Sequence, residues 1–314
     1  MNQVIWRLHR NQARFAAAAF VVAAVVIVLS GVRMAHTYDA ALAACAPGGR
    51  GCDLGGGIYR GDGLITDLVS LSTFALPGLL GLFWGVPLVA KELEEGTHVL
   101  AWTQGVTRRR WIATNLGWAL AAAAALSGAM SALVTWWRIP ENTIYGRLGN
   151  FDIQGLVPVA YCVFAVALGI AAGVLFRRVL PTLAATLGVM LLVRAPIALY
   201  LRKRLLPPIS VPFKVGYTSG QPSTAWLLST PTVNAAGQAV STDMNGIPLA
   251  CRHIALAGNH ALQGCMSTHG YRTLTVFQPD SRFWIFQTME SALFLVLAVP
   301  LVVFTYRRVI RRDA

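Results

Sequence analysis

The residues able to do chemistry in this 314-residue chain fall into three groups. The first is the stretch KELEEGTHVLAWTQGVTRRRW, residues 91–111, where acids and arginines crowd between two long apolar runs. Glu92 and Glu95 lie one helical turn apart, Leu93 and Leu100 share a different face, and Trp102 adds an aromatic contact. Gly96 interrupts the helix or lets another backbone come close. Gly105 ends it, and Thr107 can cap the next helix ahead of Arg108. Such a charged, partly apolar helix can seat in a groove on a soluble partner, its acidic and basic ends fixing the register. A solvated loop carrying orienting arginines is the plainer alternative, but the Leu and Trp content argues against full solvation.

The second group is Arg194 and Glu290, charges inside apolar runs. Counted along ideal helices, the two lie roughly 21 Å and 12 Å from opposite ends of a ~30 Å hydrocarbon core, so antiparallel helices would bring them level. Either they form a buried ion pair that fixes helix register, or one of them lines a substrate path. The third group is cysteine and histidine. Cys162 reads as a small buried hydrophobe. Cys45, Cys52, Cys251 and Cys265 allow three pairings, of which the local pairs Cys45–Cys52 and Cys251–Cys265 are the simplest. His253, His260 and His269 stand near the latter pair, but their spacing fits no zinc pattern.

Several chemistries are excluded. The three lysines, Lys91, Lys203 and Lys214, never follow glycine, so the phosphate-cradling GxxxxGK[ST] loop is missing and ATP would bind another chain. The apolar runs hold no histidine to act as base for a serine or cysteine nucleophile. Net charge is +13, yet no basic stripe with interleaved aromatics points to nucleic acid.

The elements that must position these residues are membrane helices. Hydrophobic residues make up 55% of the chain and charged ones only 12%, against about 25% in soluble domains. Six apolar runs are long enough to span, at about 15–32, 66–90, 113–137, 153–176, 180–201 and 283–306. The alternating ten-residue segments of a barrel are missing. The expected fold is an all-α membrane protein with six transmembrane helices and both termini cytoplasmic, because basic residues are denser in the short segments that would then lie inside. Residues 1–14 read as a cytoplasmic interfacial helix or a merely basic flank. Residues 15–201 carry the first five spans and the 91–111 loop. Residues 202–282 form an extracellular segment of mixed structure, with TLTVFQ at 273–278 alternating like a strand. Residues 283–314 hold the last span and a basic tail. The RKR at 202–204 violates the charge rule on the outside. Gly81/Gly85 and Gly169/Gly173 are small-xxx-small spacings that let helices approach closely, and each points weakly to a dimer face. The LAAC at 42–45 resembles a lipoprotein cleavage box, but the polar RMAHTYD separates it from the apolar run, which argues against cleavage.

The 91–111 stretch resembles the first cytoplasmic loop of ABC type-2 exporter permeases of the actinobacterial branch, where an acidic Glu-Gly-Thr stretch precedes W-T-Q-small-V-[ST]-R. YRTLTVFQPDSRFWIFQTMESALFL, residues 271–295, is similar to that branch's entry into its last span. The resemblance implies a multi-pass permease subunit of a bacterial plasma-membrane exporter, itself no enzyme and without a cofactor. A second copy of the chain and two ABC ATPase subunits, holding ATP and Mg, would complete it. Glu92, Glu95, Gly96, Thr97, Trp102 and Arg108 would form the ATPase-coupling loop, and spans two and five the dimer face. The cargo class implied is amphipathic or hydrophobic, as in multidrug efflux: a drug, antibiotic, lipid or peptide. The long outer segment departs from the family's short re-entrant helices. The alternative is a membrane sensor or assembly protein whose 202–282 segment binds an extracellular ligand.

Overall fold

The computed structural model describes residues 2–45, 63–87, 107–214, 223–243 and 247–311. The described chain divides into two compact units. One comprises residues 1–142, 150–198 and 284–314, and the other residues 143–149 and 199–283.

The first unit is helical. Helix α1 covers Asn2–Ala44 without a break. The interfacial stretch and the first span are therefore one helix, and the polar RMAHTYD stretch expected in a loop is helical too. With only Gly31 as a weak helix former and no proline, nothing in this sequence stops propagation before Ala44. Helix α2 covers Gly63–Leu80 and runs on as a π-helical turn over Gly81–Gly85. Helix α3 covers Arg108–Trp137 and is capped by Thr107, whose hydroxyl accepts from the Arg110 amide. The expected short loop at 138–152 instead holds a seven-residue helix, α4 (Ile139–Tyr145), and a 3-10 turn over Leu148–Ile153. Helix α5 covers Val157–Phe176 and α6 covers Val179–Pro196, the latter extended by a π turn (Ile197–Leu201) and Arg202–Arg204. Arg177 closes α5 in the left-handed conformation with its amide on the Gly173 carbonyl, so the chain reverses through two residues.

Among the described residues, six helical segments are long and apolar enough to cross a membrane: Ala17–Ala44, Gly63–Gly85, Arg109–Trp137, Leu148–Phe176, Val179–Arg204 and Asp280–Arg311. The fourth is 78% buried and each of the others 22–33% buried, so α5 is the core around which the rest pack. Its small residues make this possible. A Cβ on Gly81 would meet the Ala165 carbonyl oxygen at 3.0 Å, one on Gly85 the Val166 carbonyl oxygen at 2.9 Å, and one on Gly169 the Gly81 carbonyl oxygen at 2.6 Å. These glycines let α2 and α5 touch backbone to backbone within one chain. The outward faces carry Leu64, Phe83, Leu180 and Leu192, as a lipid solvent requires.

The second unit holds a four-stranded antiparallel sheet. Strand β4 (Arg272–Gln278), the alternating segment seen in the sequence, is central. It pairs with β1 (Ile209–Lys214), β2 (Trp226–Ser229) and β3 (Thr232–Val233). A 3-10 segment (Leu249–Ala257) and helix α7 (Asn259–Thr268) are joined by the Cys251–Cys265 disulfide, packed with Met266, Ile247 and Leu262. Arg147 holds Asp280 through its backbone amide at 2.6 Å and its Nε at 2.9 Å. The last helix, α8, covers Phe283–Arg311. Of the RKR sequence, Arg202 is buried, so only Lys203 and Arg204 stand as exposed cations.

Candidate functional site

Inside the helical unit, polar side chains converge where the start of α5 meets α2, α3, α6 and α8. The entry to α5 sets the problem. The first amides of a helix have no partner within it, and here they are buried. Gln287 of α8 resolves this from outside. Its Oε1 accepts from the Leu156 and Val157 amides, both at 2.8 Å. Its Nε2 donates to the Phe151 and Gln154 carbonyls at 3.0 and 3.1 Å. With four hydrogen bonds and no exposure, this side chain is fully satisfied. Gly155 must be glycine: its φ is +78°, and a Cβ there would lie 2.8 Å from Gln287 Oε1. From α3, Ser131 donates to the Gly155 carbonyl at 2.5 Å and Thr135 accepts from its amide at 3.0 Å.

Two charged nodes flank this turn. At the end of α3, buried Arg138 pairs with Glu141 and donates from Nη2 to Ser70 Oγ on α2 at 2.6 Å. Asn150 donates to the other oxygen of Glu141 at 3.0 Å. In the second node, Arg194 of α6 lies between two rings, 3.9 Å from the Phe74 centroid and 4.5 Å from the Tyr161 centroid. Its Nη1 donates to the Phe74 carbonyl at 3.1 Å, and its Nη2 is 3.6 Å from Asp152 Oδ1. The Tyr161 hydroxyl lies 2.9 Å from Asp152 Oδ1 and in hydrogen-bond contact with Glu290 Oε1, so it joins the two carboxylates. Arg194 and Glu290 thus belong to one cluster, with Asp152 and Tyr161 between them. Among the described residues, the carboxylate within ion-pair distance of Arg194 is that of Asp152. The cluster ties α2, α5, α6 and α8 together at one polar point.

Sequence reasoning missed Asp152, Tyr161, Arg138, Glu141 and Gln287. Asp152 was assigned to a loop because the apolar run was started at residue 153, whereas the fourth segment begins at Leu148. Among the predicted coupling residues, Glu92, Glu95, Gly96, Thr97 and Trp102 lie outside the described residues. Arg108 opens α3. Cys251 and Cys265 are joined, while the expected Cys45–Cys52 pair reaches outside the described residues at Cys52. His269 Nδ1 is 3.8 Å from Cys265 Sγ and 2.9 Å from the Cys265 carbonyl oxygen. Joined in a disulfide, these two sulfurs are not the thiolates a metal would take.

Among the described residues, five apolar segments packed around a sixth, buried one, with a polar cluster inside, define a polytopic membrane protein. Residues 17–202, more than half of the chain, match the family described as ABC-2 membrane transporter related, and the chain belongs to that family. It is therefore a permease component, a transport subunit that is not itself catalytic; such permeases work in the bilayer with an ATPase. No curated protein and no solved structure matches the chain.

Proposed function

We propose that this chain is the transmembrane subunit of an ATP-driven exporter in a bacterial plasma membrane. Two copies pair with two separate ATPase subunits, which hold ATP and Mg, and the complex moves an amphipathic or hydrophobic cargo such as a drug, antibiotic, lipid or peptide out of the cell. The observation that carries the reading is family membership over the first five spans, combined with the charged stretch 91–111 set between spans two and three. Six spans return both termini to one side, and basic-residue density favours the cytoplasm for that side. Glu92, Glu95, Gly96, Thr97, Trp102 and Arg108 then face the ATPases. Closure of the ATPases on ATP rocks the spans as rigid bodies, with α5 as the packed axis and the Arg194–Asp152–Tyr161–Glu290 cluster holding the moving helices in register. Arg194 and Glu290 serve register through that cluster. The dimer face falls on the exposed sides of spans two and five. The Gly81/Gly85/Gly169 contacts are already used within the chain and are not counted as part of it.

The test is affinity capture of the tagged chain from its native membranes, with quantitative mass spectrometry. A stoichiometric ATPase is expected, lost on Glu95→Lys while membrane insertion is unchanged. Unchanged ATPase association and transport in that variant would refute the coupling assignment. One observation favours a second reading, a sensor or assembly protein: residues 199–283 and 143–149 make a compact unit with its own sheet and disulfide, and the family match ends at residue 202. Capture without any ATPase would favour that reading.

A further inference from the structure

The last turns of α8 carry a feature that neither the register cluster nor ATPase coupling uses. Pro300, Val303, Phe304, Arg307, Arg308 and Arg311 repeat at three- and four-residue spacing, so they form one stripe. Among the described residues they line an open surface recess of about 470 Å³. The face turned into the bundle is a different one: Ala298, Thr305 and Val309 are buried, and Val309 packs in the same cluster as Trp111 and Val174. The stripe therefore faces away from the protein. It changes character along its length of about 16 Å. The first half is apolar, with Val303 and Phe304 exposed, and the second half is three exposed arginines. None of the three has an ion-pair partner among the described residues. The same end of the bundle carries exposed Arg109 and Arg110 at the start of α3 and Arg177 and Arg178 at the α5–α6 turn, so the exposed charges among the described residues there add to the same sign.

We infer that this stripe is a binding site for one anionic phospholipid of the adjoining leaflet. Its phosphate sits between Arg307 and Arg311, one turn apart, and an acyl chain lies along Phe304 and Val303. The argument is charge complementarity joined to an apolar strip of the right polarity order: headgroup toward the helix end, chain toward the membrane centre. A free phosphate would use the arginines but not the strip, and a soluble acidic protein would not need the strip either.

The test uses the full chain in detergent, with native mass spectrometry after adding either phosphatidylglycerol or phosphatidylcholine. One phosphatidylglycerol should be retained selectively. Each basic residue at an anionic surface contributes roughly a factor of five, so Arg307→Gln with Arg311→Gln should weaken retention about 25-fold. Phe304→Ala should weaken it several-fold at unchanged charge. Arg177→Gln with Arg178→Gln, at the same end of the bundle but off the stripe, should change it less than twofold. The inference is overturned if both arginine pairs lower retention equally, which would mean diffuse attraction. It is also overturned if glycerol phosphate competes as well as the lipid, if Phe304→Ala has no effect, or if phosphatidylcholine is retained equally. Variants are compared only where size exclusion gives the wild-type profile, and Phe304→Ala keeps the test open if an arginine pair fails to assemble.

Discussion

Replacing Gly169 by alanine tests the claim that α2 and α5 meet backbone to backbone. The added Cβ would lie 2.6 Å from the Gly81 carbonyl oxygen and 3.2 Å from the Val86 amide nitrogen. Both are main-chain atoms, so no rotamer change relieves the clash. Restoring ordinary contact requires the helices to part by about 0.8 Å, and a gap of that order forfeits a quarter to a half of the attraction between facing atoms. Overpacking of this kind costs about 1–3 kcal/mol. Against it stands alanine's higher helix propensity, about 1 kcal/mol. Gly188 on α6 supplies the control, because a Cβ there meets nothing within 4 Å. Gly188→Ala should therefore keep only the propensity gain. The difference between the two variants cancels propensity and leaves the steric cost, about 1–3 kcal/mol. Reversible unfolding in mixed micelles, followed by tryptophan fluorescence, measures that difference. If the two variants are equally stable, the α2–α5 contact is not what holds these helices, and the central position assigned to α5 fails with it.

Two further outcomes follow from the polar cluster. Gln287→Leu removes four hydrogen bonds and leaves the buried Val157 amide without this acceptor, at about 1–3 kcal/mol for a buried group so deprived and more with the bonds to the Phe151 and Gln154 carbonyls; its loss should exceed that of Gly169→Ala in the same unfolding assay, and equal losses would mean the α5 entry is satisfied some other way. In double-mutant cycles, Arg194/Asp152 should show a larger coupling than Arg194/Glu290, because the second pair acts through Tyr161 and Asp152. Tyr161→Phe, which keeps the ring under Arg194 but removes the hydroxyl, should abolish the Arg194/Glu290 coupling while sparing Arg194/Asp152; coupling that persists would mean the two charges interact directly.

Much of the helical unit was legible because its solvent is lipid. Apolar runs of spanning length leave little choice of secondary structure, since every backbone group must find its partner within the segment. Strand β4 was legible as a strand from the period-two alternation in 273–278, but its inward face was not: the apolar alternates Leu274 and Val276 are half-buried, and the buried positions are Thr275, Phe277 and Gln278. The Cys251–Cys265 link followed from nearness in sequence. The ends of elements were not legible in the same way. Helix α1 continues through RMAHTYD because polar residues on their own do not stop a helix, and α1 contains no proline. The fourth span begins with LGNFDI, which reads as a loop until Gln287 is seen to meet the Phe151 carbonyl within it, and Gln287, Ser131 and Thr135 the backbone of Gly155 and Leu156 just beyond.

The same reason explains why the candidate site was half read. Arg194 and Glu290 stood out because a charge within an apolar run is costly and has to be accounted for. Asp152 and Arg138 sit at the edges of such runs, where charge is cheap in water and draws no notice. What makes them unusual is burial, and burial at a span's edge depends on which helices pack there. The fourth helix is surrounded on all sides, so its entry is enclosed along with its middle. Polar residues at that entry are then subject to the constraint that governs the span centre: each must be paired, and Gln287 and Arg194, placed by other helices, and Tyr161, on α5 itself, do so. A charge beside an apolar run, rather than within it, is therefore worth reading as structural where other helices surround that end of the run, and apolarity alone does not say where: the first segment is nearly as apolar as the fourth and far less buried. Here the surrounded helix is α5, and the residues at its entry are the ones the apolar-run count passed over.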